Sequence, residues 1–319
     1  MSSSPRWPSV EMERVEEMLL ASAGDSFHSL VSEASTHLIR AGGKRVRPAL
    51  VILSSRAGHT GRAATDLAAA AVELVHLATL CHDDVIDETE LRRGVPTVHS
   101  RWGIEIAVLA GDFLFARGCA LGAQAGGEVP GILARAIAEV CEGQIVETST
   151  LGDANRSVEE YMATIRQKSA ALFSAACDLG AATAGVARGP RAALVSFGEH
   201  LGFAFQMVDD LLDLVGDPEV IGKVPGTDLR EGVFTLPVLL ACERDDVLRK
   251  RLGAGDRELG TVLPKVESTG ALRTTLEMAD ARAEAAVQSL RKLPDMEWRA
   301  ALEGIVDTVM SQIPGAAVA

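Results

Sequence analysis

Apolar residues recur at spacings of three and four through one segment after another: Val10–Leu20, Phe27–Leu38, Ala63–Leu80, Ile104–Leu121, Gly131–Ile145 and Val158–Leu179. That period puts them on one face of an α-helix and does not match the alternation of a half-buried strand. Arg191–Val215 and Leu236–Leu252 continue the pattern, with shorter stretches to the end. Alanine and leucine dominate, tyrosine occurs once and β-branched clusters are few, which favours helix almost throughout. Gly and Pro punctuate the helices at Ala41–Pro48, Arg93–Pro96, Gly126–Gly131, Arg188–Pro190 and Gly216–Gly232. No parallel-sheet rhythm, no GxGxxG fingerprint and no long Pro-, Ser- or charge-rich linker is present. The expected fold class is all-α: a single domain over residues 1–319, of about a dozen helices, with residues 1–9 poorly ordered.

Composition narrows the function. Hydrophobic residues make up 47% of the 319 and charged residues 24%, enough apolar material for a core and too much for a disordered chain. The net charge of -13, from 44 acidic and 31 basic residues, argues against a general nucleic-acid binder. Cys81, Cys119, Cys141, Cys177 and Cys242 form no CxxC pair, so buried thiols in a reducing compartment are expected, not disulfides or a zinc site. The first ten residues lack a signal-peptide layout. The most apolar run, Leu67–Cys81, is broken by Glu73 and His76, so no transmembrane span is expected. The expected location is the cytoplasm, with peripheral contact to a membrane surface.

Two segments share the pattern D-D-x-x-D: Leu80–Glu88 and Met207–Leu214. Residues four apart on a helix lie about 40° apart around its axis. Asp83 and Asp87 therefore share a face with Asp84 beside them, and Asp209, Asp213 and Asp210 repeat the arrangement. Most acidic runs are solvated surface. Here the flanks, Leu77–Leu80 and Phe203–Val208, are apolar nearly all round, as interior helices are. Carboxylates grouped on interior helices need cations, and oxygen-only ligands favour a hard ion such as Mg²⁺. Basic clusters accompany them: Gly42–Pro48, Leu91–Pro96, Arg166–Ser169 and Gly222–Lys223. Surface Lys and Arg are usually just solvated, but these follow glycine turns or adjoin the acids. Cations, Mg²⁺ and carboxylates in one pocket describe a diphosphate site.

These residues resemble a known family, the trans-isoprenyl diphosphate synthases or polyprenyl synthetases. The resemblance runs through GGKRVRP at 42–48, ELVHLATLCHDDVIDETELRRGVPTVH at 73–99 and AGDFLFARG at 110–118. It continues with EGQ at 142–144, QKSAALF at 167–173, FQMVDDLLDLVGD at 205–217 and GKVPGTDLREGVFTLP at 222–237. It covers roughly residues 10 to 310 and implies a helical bundle around a central cavity. It implies Mg²⁺, three ions per site, on Asp83, Asp87 and Asp209, with Asp84, Asp210, Asp213 and Asp228 in support. It implies an isopentenyl diphosphate pocket from Lys44, Arg47, His76 and Arg93. Arg92, Lys168, Ser169, Gln206 and Lys223 match an allylic diphosphate pocket. His76 lies two turns before Asp83 on the same face, although a lone His in an apolar helix is more often a satisfied core residue. The implied reaction ionises the allylic diphosphate, joins the allylic cation to isopentenyl diphosphate and loses a proton, with diphosphate as the base. No protein nucleophile is needed, in keeping with the absence of a GxSxG elbow. Two departures stand out. Ser169 replaces a common Thr and keeps the hydroxyl, whereas Val233 stands where many members carry Lys.

Product length is read, in such enzymes, from the residues just before the first DDxxD. Thr79 and Ala78 are small, and Gly111–Gly126 is rich in small residues, with Phe115 and Phe113 as the large aromatic candidates for a floor. Close helix packing is the plain alternative for such small residues. The stretch from Asp66 to Asp83 is about 25 Å of helix, room for roughly five isoprene units. A medium or long product of about C30 to C50, for a quinone tail, is expected; a C15 or C20 product is the alternative. A homodimer is expected. A terpene cyclase, a non-catalytic partner and a catalytic subunit dependent on a second chain are the competing readings. The basic GGKRVR site argues against the cyclase, and two intact acidic motifs argue against the non-catalytic partner.

Overall fold

In a computed structural model, which describes residues 8–59, 62–216 and 224–313, helices carry most of the described residues. In order they are α1 (Ser9–Gly24), α2 (Ser29–Arg40), α3 (Val46–Ser55), α4 (Arg62–Ile86), α5 (Val98–Trp102), α6 (Ile104–Ala125) and α7 (Val129–Ser149). Then come α8 (Val158–Ile165), a π-helical turn (Arg166–Ala170), α9 (Ala171–Thr183) and α10 (Arg188–Val215). The remainder are α11 (Thr227–Glu231), α12 (Leu236–Arg244), α13 (Asp246–Gly253), α14 (Leu259–Ser268), α15 (Ala271–Leu290) and α16 (Glu297–Met310). The expected helical class holds.

Four local departures from the expected pattern have identifiable causes. α3 occupies what reads as a Gly/Pro break, because Pro48 sits in the first helical turn, where no N–H is needed. Leu91–Arg92 and Val95–Pro96 form a two-stranded hairpin. Its turn is Arg93–Gly94, both at positive φ (54° and 77°), the geometry that matches strand twist in a two-residue loop. The single helix read through 158–179 is interrupted by the π-turn. Leu236–Leu252 is split because Asp245 leaves helical geometry and accepts hydrogen bonds from Val247 N and Leu248 N, starting a new helix.

The described chain gathers into two compact units. The first comprises residues up to Ile137, Leu172–Gly198 and Arg291–Leu302; the second comprises Ala138–Ala171, Glu199–Leu290 and the residues from Glu303 on. Both draw on separated stretches, so no single linker divides the chain. In the first unit α4 is the axis, packed most extensively on α6 and also on α3 and α1. Glycines set the approach. A Cβ at Gly118 would lie 3.0 Å from Ala71 O and 3.2 Å from Val75 Cγ2, so α6 rests on the α4 backbone. Gly180 in α9 lies against Val51 O at 2.1 Å by the same measure, leaving no room for a side chain. α4 and α6 are each long and apolar enough to cross a membrane by length and composition. The apolar window of α4 is 72% buried within the protein, that of α6 only 39%. In the second unit α12 packs on α15 and on α8.

Candidate active site

The first acidic cluster closes α4. Asp84 is buried, Asp83 and Asp87 are half-buried, and Asp87 N closes the last turn onto Asp83 O at 2.8 Å. Arg92 Nε in the hairpin donates to Asp84 Oδ1 at 2.6 Å. Asp84 is thus held by an arginine of its own unit, while its Oδ2 is buried without a hydrogen-bond partner among the described residues. Burial pushes the Asp84 carboxyl above the usual range, and Arg92 opposes this.

A basic loop lies against the same hairpin. Gly42 and Gly43 both have positive φ, and a Cβ on Gly43 would fall 2.8 Å from Arg93 Nη1. Only glycine lets the Arg93 guanidinium lie across the loop and donate to Gly42 O. The next residue but one, Arg45, is an anchor: its Nε and Nη2 bond both Glu16 oxygens at 2.9 Å, and Nη1 bonds Glu73 Oε1 at 3.2 Å. Sequence reasoning passed over Arg45. The signal was Glu73, the one acid within the apolar run Leu67–Cys81, which needs a buried partner.

Arg47 differs from Arg45. Its guanidinium lies over the Phe173 ring at 4.6 Å, and its Nε is buried with no hydrogen-bond partner among the described residues. Burial, reinforced by Arg93 and opposed by Glu73, lowers its pKa to about 10. His76 faces the same group of charges. Burial first, then Arg47, Arg93, Arg92 and Arg45, holds its pKa well below the ordinary value, so the imidazole is neutral at pH 7. A neutral imidazole and a guanidinium with its Nε–H unused among the described residues, in a field of arginines, make a receptor for an anion. Lys44 is exposed in the loop.

The second unit holds the other residues. The π-turn carries Lys168 and Ser169, and such turns concentrate at functional positions. Gly143, of the EGQ stretch, touches it: a Cβ there would meet Lys168 N at 2.6 Å. Lys168 Nζ pairs with Glu147 of α7, an acid sequence reasoning did not single out. Ser169 Oγ donates to Gln206 Oε1 at 2.6 Å, and Gln206 Nε2 donates to Asp210 Oδ1 at 3.0 Å. Asp210 is fully buried; its Oδ2 accepts from Tyr161 OH and from Leu236 N at 3.3 Å. Burial raises its pKa to about 7 against those hydrogen bonds. Asp213 is also buried, and its Oδ2 accepts from Asp228 N at 3.2 Å.

The two DDxxD motifs are therefore not equivalent. In the first, Asp83 and Asp87 are half-buried and Asp84 is buried; in the second Asp209 is half-buried, while Asp210 and Asp213 are buried and accept hydrogen bonds from Gln206 and from Asp228 N. The second motif repeats the spacing of the first and differs in burial at its last aspartate, Asp213 being buried where Asp87 is half-buried. Lys223 lies outside the described residues. Val233 N bonds Asp228 O at 2.8 Å, and the guanidinium of Arg257 lies against Gly232 and over Phe234 at 5.9 Å.

Among the described residues no three His, Cys, Asp or Glu side chains converge as a self-sufficient metal site. Asp83 and Asp87 offer oxygen donors one turn apart beside the orphaned Asp84 oxygen. That donor set fits a hard ion completed by water and phosphate oxygens, the usual way Mg²⁺ is held beside diphosphates.

The small residues before Asp83 lie in α4 between Val75, which meets Gly118 of α6, and His82, which meets Gly111. His82 stacks at 5.6 Å on Phe115, its Nε2 lies 3.1 Å from Val108 O, and Gly111 leaves room for its ring. One turn back, Ala78 is fully buried, and Thr79 is half-buried with its hydroxyl on His76 O at 2.7 Å. Gly111 and Gly118 serve helix packing against α4, and Gly122 makes room for Leu133.

With the geometry in hand, comparison with known proteins is specific. The family model described as polyprenyl synthetase matches residues 28–263. The octaprenyl diphosphate synthase of Escherichia coli (strain K12) is 36% identical over 285 residues, 86% of this chain and 88% of that one. A short chain isoprenyl diphosphate synthase of Methanothermobacter thermautotrophicus is 38% identical over 313 residues, 94% of this chain and 96% of that one. The crystal structure of a polyprenyl synthase from Caulobacter crescentus CB15, complexed with calcium and isoprenyl diphosphate, superposes with a TM-score of 0.90 at 37% identity, covering 95% of each chain.

Proposed function

The chain belongs to the polyprenyl synthetase family, and we propose that it condenses isopentenyl diphosphate with an allylic diphosphate into an all-trans polyprenyl diphosphate. It is a trans-prenyltransferase. The observation that carries the substrate assignment is the half-buried Arg47, whose Nε has no hydrogen-bond partner among the described residues, beside the neutral His76 and Arg93. These groups, with Lys44, bind the diphosphate of isopentenyl diphosphate. Lys168, Ser169, Gln206 and Arg92, joined by Lys223, bind the allylic diphosphate. Asp83, Asp87 and Asp209 hold three Mg²⁺ together with substrate oxygens, and Asp84, Asp210, Asp213 and Asp228 orient them. When bound, Mg²⁺ neutralises charge gathering on the departing diphosphate. The arginines and Lys168 add fixed positive charge where that negative charge develops, so the allylic C–O bond breaks. Apolar helices exclude water from the allylic cation. The π-bond of isopentenyl diphosphate attacks that cation, and the proton then lost passes to diphosphate.

Relatives of similar identity carry names of different product lengths, so identity does not rank them. We assign a product of about C30 to C50 from the small Ala78 and Thr79 and the length of α4 behind them. A short product is the second reading, favoured if those residues serve packing alone. The five free cysteines suit a reducing cytoplasm. α6 leaves Ile104, Val108 and Leu109 exposed, an apolar face suited to a homodimer. Product release brings peripheral contact with a membrane. Titration of Arg47→Met with isopentenyl diphosphate tests the carrying observation. Lost saturation with the allylic KM unchanged supports it, and an unchanged isopentenyl diphosphate KM overturns it.

A further inference from the structure

Tyr161 is the one tyrosine in the chain and is buried, at 2% exposure. Its position is built from two directions. A capping box, Ser157 with Glu160, fixes the start of α8, and Tyr161 N closes the first turn onto Ser157 O at 3.0 Å. Arg156 lies over the ring at 5.6 Å. The phenol hydroxyl donates to Asp210 Oδ2.

The contact continues. Asp210 Oδ2 also accepts from Leu236 N, so both donors on that oxygen come from rigid elements, α8 and the start of α12. Its Oδ1 is left to face Gln206 Nε2 at 3.0 Å. An amide so held has its nitrogen toward Asp210 and its oxygen toward Ser169, whose hydroxyl donates to it at 2.6 Å. Tyr161 thus sits at the buried end of a four-residue chain, Tyr161–Asp210–Gln206–Ser169, whose other end is the π-turn.

We propose that Tyr161 is a positioning residue for the allylic diphosphate, acting through Asp210 to fix the amide of Gln206 and the hydroxyl of Ser169. The proposal rests on the reading of Ser169 and Gln206 as diphosphate contacts. It makes Asp210 an internal strut and leaves Asp209 alone to face an ion. Removing the phenol hydroxyl frees Asp210 to turn, and the Gln206 amide loses its reason to keep one orientation. Phenylalanine keeps the ring and its contact with Arg156, so the change is confined to one hydrogen bond.

The test uses the full chain with Tyr161→Phe, Asp210→Asn and the double variant. Rates are measured against each substrate, and binding of magnesium diphosphate is followed by calorimetry. In Tyr161→Phe the allylic KM is expected to rise about tenfold, the loss typical of one hydrogen bond to a charged group. The KM for isopentenyl diphosphate is expected to stay within about twofold. Tyr161→Phe added to Asp210→Asn should change the allylic KM little further, because both act along one chain. A purely structural tyrosine would lower the melting temperature and move neither KM selectively, and that result overturns the proposal. Additive losses in the double variant overturn it too. If the wild type binds magnesium diphosphate but elongates nothing, the functional reading fails by itself. The calorimetric difference between wild type and Tyr161→Phe then still decides the role of Tyr161: weaker binding by the variant upholds it, equal binding refutes it.

Discussion

Replacing Arg47 with methionine should make the protein more stable and less able to use isopentenyl diphosphate. In the unfolded chain the guanidinium has its ordinary pKa of 12.5; in the folded protein burial takes it to about 10. A cation whose pKa is lower in the folded state destabilises that state at every pH below the folded value. The penalty fades only as pH rises from about 10 toward 12.5, so it is fully present at pH 7.5. A drop of this size corresponds to roughly 3 kcal/mol. Methionine keeps a side chain of comparable length and a sulfur–aromatic contact with Phe173. Allowing for lost packing, the ligand-free protein should gain about 1–3 kcal/mol, seen as a melting temperature about 1–5 °C higher. In the same variant the KM for isopentenyl diphosphate should rise by about two orders of magnitude, the cost of a missing charged partner in a desolvated site. Thermal unfolding without ligand and initial rates at saturating allylic primer measure the two effects. A variant that melts lower and keeps its KM would refute the reasoning, since Arg47 would then be a structural cation like Arg45.

Other outcomes follow from the same geometry. His76 takes up a proton in the unfolded chain near its ordinary pKa of 6.5 but far less readily when folded, so stability should fall as pH drops through 6.5, by up to about 1.4 kcal/mol per unit. His76→Gln should flatten that slope when unfolding free energies are compared at pH 7.5 and 5.5. Gly143→Ala forces a Cβ onto Lys168 N and should raise the allylic KM with a stability loss of about 1–3 kcal/mol, leaving the other substrate's KM in place. Ala78→Phe should shorten the product without abolishing turnover; a variant that loses stability and keeps its product length would assign Ala78 to packing against α6. Removal of divalent ions with a chelator should stop elongation, and added Mg²⁺ should restore it.

The fold class was legible because its signal is long-range and redundant. Segment after segment repeats the helical period, and no local exception changes the class. The exceptions were local. Pro48 reads as a breaker until the helix is known to start at Val46. The hairpin at Leu91–Pro96 is too short for a period, and its turn is carried by an arginine in a left-handed conformation. The candidate site was legible where a residue type has one plausible use, as with the carboxylates and the basic glycine loop. It was not legible where a role depends on burial. Spacing alone makes Asp209, Asp210 and Asp213 equivalent; the family resemblance sets Asp209 apart, and packing adds a physical difference, since the other two carboxylates are held by Tyr161, Gln206 and the backbone of Asp228. Arg45 and Arg47 are two residues apart in one basic run. The first neutralises Glu16 and Glu73, and the Nε of the second has no partner among the described residues.

The decisive measurement is elongation of labelled isopentenyl diphosphate by the purified chain with Mg²⁺ and allylic primers of graded length, the products being dephosphorylated and sized. An all-trans product of about C30 to C50, lost in Asp83→Ala, is the expected result. No elongation with any primer would contradict the account, whereas a product ending at C15 would contradict only its reading of Ala78 and Thr79.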